Sequence, residues 1–146
     1  MPTLAPTPTP TPSLEPSAPG QETIVVQLGE ARFSALVADT PELHAQGLSG
    51  RDYMPPEWGM WFDFGSLRRP SFWMRGMLFP IDIIWIDEGL RVVHVTHEAP
   101  APHPDATDSS LPRYNAGEAR VRYVLEIGAG LARELDIGLG VTVSIN

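Results

Sequence analysis

Residues 81–87 read IDIIWID, and residues 71–80 just before them read SFWMRGMLFP. In an extended chain Ile81, Ile83 and Trp85 fall on one side, and Asp82, Ile84 and Ile86 on the other. Both sides are largely apolar, which predicts a strand buried on two faces and so central in its sheet. The segments around it follow suit. Glu88-Gly89 turns the chain into LRVVHVTHE, a hairpin partner. Upstream, Pro55-Pro56 feeds an aromatic run in which Trp58, Met60, Phe62 and Phe64 share one face and Trp61 and Asp63 the other. TIVVQL and ARFSALVA flank Gly29-Glu30 as another hairpin, and RVRYVLEI and VTVSI supply two further strands.

Two short helices are expected among these strands. Thr40 can cap the first, with Pro41 in the first helical position, Glu42 complementing the dipole and Gly47 or Gly50 closing it. GAGLARELDIG supplies the second, ending at Gly138. Short, frequently punctuated strands that outnumber helices predict a mainly β fold. We expect an antiparallel β-sandwich or a partly closed barrel with two short helices.

At 146 residues the chain suits one domain with a real core, expected over residues 22–146. Ten Lys plus Arg against eighteen Asp plus Glu give a formal charge of −8, and no basic run interrupts that balance. Such a chain repels phosphate backbones and anionic bilayers, so neither nucleic acid nor a membrane surface is an expected partner. The absence of cysteine excludes disulfides, thiolate zinc sites and a cysteine nucleophile. No apolar run approaches the ~20 residues that span a bilayer, so no transmembrane segment is expected.

Residues 1–20 read MPTLAPTPTPTPSLEPSAPG. They lack the basic start and apolar centre of a signal peptide. Proline fixes φ and removes a donor, so residues 1–21 are expected to form an extended, unpacked Thr/Pro-rich linker or stalk. A tether of this kind suits a secreted, periplasmic or surface-attached domain whose export segment has been removed.

Histidines and hydroxyls offer little chemistry. His94 and His97 point to opposite faces of a strand, and His103 sits in a Pro-rich loop, so no metal site is expected. No Gly-x-Ser-x-Gly elbow is present. Asp82 and Asp87 lie on opposite faces, roughly 16 Å apart along a strand at ~3.3 Å per residue, too far for a glycosidase pair. Asp82 nevertheless needs donors, because an unpaired buried charge is costly. Backbone amides, Arg51, Arg75 or Arg122 could serve, and so could the hydroxyls of a ligand. The four tryptophans fall within residues 58–85; Trp58 and Trp73 stand near strand ends, where a ring can be half-exposed. An aromatic ring with convergent Arg and carboxylate groups is a common way to build a small-molecule pocket.

The order of motifs resembles the secreted domain-of-unknown-function 192 family. The resemblance runs from VADTPELHAQGLSGR at 37–51 through GMWFDF and SFWMRGMLFPIDIIWID to HEAP and RYVLEI, and spares little but the Thr-Pro segment. It implies a small, mainly β, often exported domain without an established biochemical role. The family usually continues Phe-Trp-Met with Lys-Asn-Thr, where this chain has Arg75, Gly76 and Met77, and the loop at 101–115 is longer than usual.

The expectation is therefore a non-catalytic, extracytoplasmic domain that binds a small polar ligand, carbohydrate-like or a peptide segment. Its cleft is expected at Trp73, Met74 and Arg75, bordered by Arg51, Asp82, Trp58 and the 99–118 loop, with no cofactor, metal or catalytic residue. The alternatives are a small hydrolase using Asp82 or a loop histidine, and an accessory domain that docks on another exported protein.

Overall fold

The computed structural model describes residues 14–16 and 19–146. Seven strands form one sheet: β1 (Thr23–Leu28), β2 (Ala31–Ala38), β3 (Trp58–Arg68), β4 (Ile81–Ile86), β5 (Val92–Ala99), β6 (Val121–Gly128) and β7 (Val143–Ile145). Their order is β5-β4-β6-β3-β2-β1-β7. The sheet curls far enough for its two ends to meet. Arg91 bridges Thr142, and backbone bonds join Leu90 and Val92 to residues 140–143. The result is a half-barrel, which selects the partly closed barrel over the sandwich. The sheet is also mixed, because β2 runs parallel to β3 while every other pairing is antiparallel.

All six residues of β4 are buried, as its two apolar faces require. Ile84 and Ile86 enter the barrel interior with Phe33, Trp61 and Leu125. There the Trp61 and Tyr123 rings stack at 4.9 Å. Ile81, Ile83 and Trp85 face the other side with Met60, Phe62 and Val124. The alternation read from β3 holds too, with Met60 and Phe62 on the outer face and Trp61 inside. Gly59 is required where β3 meets β6, since a Cβ there would lie 2.6 Å from the Glu126 carbonyl oxygen.

The outer face is roofed by connections rather than by a second sheet. Helix α1 (Pro41–Gln46) starts where the sequence indicates: Thr40 Oγ1 accepts from the Leu43 amide at 3.2 Å. Gly47 ends it at φ +49°, with its N–H donating to the Leu43 carbonyl. Helix α2 (Leu131–Glu134) is a single turn that closes the barrel interior through Ala132.

At the N-terminus, Leu14 is buried in the outer-face cluster. The linker expected over residues 1–21 thus carries an apolar anchor at Leu14, whose side chain has apolar surface to bury. Residues 1–13 and 17–18 of that linker lie outside the described residues.

Candidate functional site

Glu126 sits on β6 in register with Met60 of β3 and Ile83 of β4. Paired residues project to the same face, so its carboxyl stands between two side chains that are at most 1% exposed. Glu126 itself is 6% exposed. Among the described residues its carboxyl makes no hydrogen bond or ion pair. Burial alone pushes its pKa up to about 8, so the group is mostly protonated at neutral pH.

Above this carboxyl opens a cavity of about 510 Å³. Phe62 and Glu126 belong to its floor, α1 and Ser49 form one wall, and Phe64, Phe72 and Met77 line the rest. Aromatic contacts make the wall continuous: Phe62 and Phe72 lie 5.0 Å apart, Phe64 and Phe72 6.0 Å, and His44 and Phe64 4.7 Å between centroids. His44 is fixed from behind. Its Nε2 lies 2.9 Å from the Ala38 carbonyl and 3.0 Å from that of Asp63, so an Nε2–H is shared between the two. Gly47 leaves room over the floor, since a Cβ there would sit 3.5 Å from Phe62 and 4.0 Å from Glu126 Oε1.

Arginine surrounds the mouth. The chain's ten cationic side chains are all arginine, and Arg68, Arg69 and Arg113 line the opening beside Trp73. The Arg113 guanidinium lies 4.2 Å from the Trp73 ring centroid and that of Arg75 lies 5.5 Å away. These residues come from two distant segments. The long 99–118 loop is pinned across the opening by paired backbone bonds of 2.8 Å between Phe72 and Tyr114, and by an Arg75–Asp108 ion pair at 3.3 Å. It thereby delivers Arg113 to a rim that no contiguous basic run foreshadows.

The expected site residues separate. Trp73 is on the rim, with Arg75 against it, while Met74 is buried beneath the 100–114 segment. Trp58 packs on the outer-face cluster away from the cavity lining, and Arg51 is half-buried, which lowers its pKa, with Glu15 opposing that shift. Asp82 lies on the other face of the sheet. Its Oδ1 accepts from the amides of Glu98 at 2.7 Å and Gly130 at 3.2 Å, and its Oδ2 from Ala132 at 2.8 Å. It thus binds α2 and the β5 end to β4, the amide-held role weighed for it from the sequence.

Glu126, His44 and the three mouth arginines lie outside the set of site residues that the sequence points to. Arg122 and Glu126 share a strand face and suggest an ion pair, but Arg122 Nε bonds Asp63 instead, at 3.3 Å. Glu126 had a local signal nonetheless: it is the one acidic residue in the otherwise apolar stretch YVLEI. Among the described residues no cluster of three His, Asp or Glu is placed to hold a metal ion.

A family profile described as DUF192, an uncharacterised ACR, matches residues 23–145. Two solved structures share the fold. One is a candidate transcription regulator from Sinorhizobium meliloti 1021, 27% identical over 85% of this chain and 94% of its own, with a TM-score of 0.73. The other is a protein of unknown function from Novosphingobium aromaticivorans DSM 12444, also 27% identical, covering 94% of this chain and 98% of its own, with a TM-score of 0.71. No curated protein matches the chain significantly.

Proposed function

We propose, from the premise that this chain belongs to the DUF192 family, that it is a non-catalytic domain binding a small polar ligand in the cavity over Glu126. One observation carries the reading. Glu126 is only 6% exposed, and its carboxyl, reached by solvent through the open cavity, has no protein partner among the described residues to offset its desolvation. A ligand that accepts from the protonated acid, or donates a hydroxyl to it, supplies what the fold leaves out. Trp73 at the rim gives such a ligand a stacking surface, which suits a sugar-like ring or the side chain of a peptide.

The hydrolase alternative through Asp82 has weaker support, because its carboxylate is taken up by three amides on the opposite face. A net charge of −8 disfavours DNA as a partner. The Thr-Pro composition of the N-terminal segment supports an extracytoplasmic, tethered setting.

Tryptophan fluorescence titration of the full chain against a panel of sugars, peptides and metabolites tests the reading. Trp61 and Trp85 are at most 2% exposed and Trp58 lies outside the cavity lining, so a ligand at the rim reports chiefly through Trp73. A saturable change that disappears in Trp73→Phe is expected. A panel that produces no change, or a change that Trp73→Phe leaves intact, overturns it.

A further inference from the structure

We propose that the ligand is an anion with a flat, apolar body, its carboxylate, sulfonate or phosphate group held by Arg68 and Arg113 and its body laid against the cavity's aromatic wall. This rests on the reading of the cavity as a binding site and adds the chemical class.

The distribution of charge carries the argument. The protein is strongly acidic, yet arginines 68, 69, 75 and 113 gather around one opening. Two of them have acidic partners on the surface: Arg69 faces Glu118 at 3.5 Å and Arg75 faces Asp108 at 3.3 Å. The other two have none among the described residues. Arg68 reaches only the Ser66 hydroxyl, at 3.4 Å, and Arg113 lies over Trp73. A guanidinium placed over an indole is held in orientation while its N–H edges stay free, the arrangement that suits fork-like recognition of a planar anion.

Below this rim the chemistry changes. Phe62, Phe64, Phe72 and the His44 ring present apolar faces and edges within 4.7–6.5 Å of one another. Rings this close pack on one another, so they form one continuous aromatic wall against which a planar body can lie. At the floor Glu126 is shifted by burial alone, with no arginine close enough to oppose it. The cavity therefore runs from a cationic mouth through an aromatic throat to a neutral hydrogen-bonding floor. A neutral sugar would leave the mouth unmatched, and an inorganic anion would leave the throat empty.

A matched pair of probes separates the class from the site. 8-Anilinonaphthalene-1-sulfonate and N-phenyl-1-naphthylamine share an aromatic body, and only the first carries an anion. The full chain is titrated with each at low and high salt, alongside an Arg68→Gln/Arg113→Gln variant. Both arginines are exposed, and circular dichroism melting checks that the variant stays folded. The sulfonate is expected to bind about tenfold or more tightly than the neutral probe, to weaken with salt, and to lose about tenfold in the variant. The neutral probe should be indifferent to both changes. Equal binding of the two probes, insensitive to salt and variant, overturns the anionic class while leaving a site for apolar bodies intact. Failure of both probes to bind overturns the class and the cavity reading together.

Discussion

Replacing Glu126 with glutamine should make the protein more stable at alkaline pH and remove most of a pH dependence that the wild type shows. In the native state the carboxyl has a pKa of about 8, against an ordinary value of 4.5 for the unfolded chain. Between those values the native state holds a proton that the unfolded state has released, so stability must fall as pH rises. The stabilisation from the neutral acid is complete below pH 4.5 and lost on passing through about 8. At 1.36 kcal/mol per pH unit the interval sets a ceiling of roughly 5 kcal/mol. Water can reach the carboxylate through the cavity and solvate it, which brings the expected loss to roughly 2–4 kcal/mol. Urea denaturation from pH 5 to pH 9 measures this. The decisive quantity is the difference between wild type and Glu126→Gln, because the two proteins differ in no other side chain. The variant should gain relative to wild type at each step upward in pH. Parallel profiles, or a variant that loses ground as pH rises, would refute the assignment of Glu126 as a buried, protonated acid.

Two further substitutions probe the frame that holds the cavity. Asp82→Asn turns an acceptor of three amides into a group that cannot satisfy all of them, and should cost about 2–4 kcal/mol by denaturant melting while leaving anionic-probe affinity unchanged. A loss of affinity with no loss of stability would return Asp82 to the site. Gly76 has φ +75°, and a Cβ there would lie 3.2 Å from that of Ser49. Gly76→Ala should cost about 1–2 kcal/mol and Gly76→Asn less, since asparagine tolerates the left-handed region; equal melting temperatures for the two variants would count against that account.

The Gly76 geometry also explains the departure from the family's usual Lys-Asn-Thr. Asparagine and glycine are the two residues most at ease at positive φ, so the turn is kept although the amide is lost. What the sequence discloses well here is local. Strand faces in β3 and β4, the Thr40 cap and the Gly47 stop each depend on neighbours a few residues away, and alternation or capping chemistry is enough to read them. Asp82 was legible for a related reason, since a carboxylate entering a buried strand must be paired by something. The cavity was not. Its cationic rim joins Arg68 and Arg69 to Arg113 across the long loop, and its floor depends on Arg122 choosing Asp63 over Glu126. Those outcomes turn on which strands lie side by side, and no periodicity encodes that.

The one parallel pairing has a consequence for how such a domain can diversify. Two parallel neighbours cannot be joined by a tight turn, so the chain between β2 and β3 must cross a face of the sheet. Here that traverse is residues 39–57, and it carries α1 and Gly47 over Glu126. The recess is therefore a by-product of connectivity. A sequence with this strand order must send a crossover over one face of the sheet, and here that crossover is itself anchored there by Leu48 and Met54. The overpass can reshape one wall of the recess, while the Glu126 floor, Phe62, Phe64 and Arg68 stay on the strands themselves.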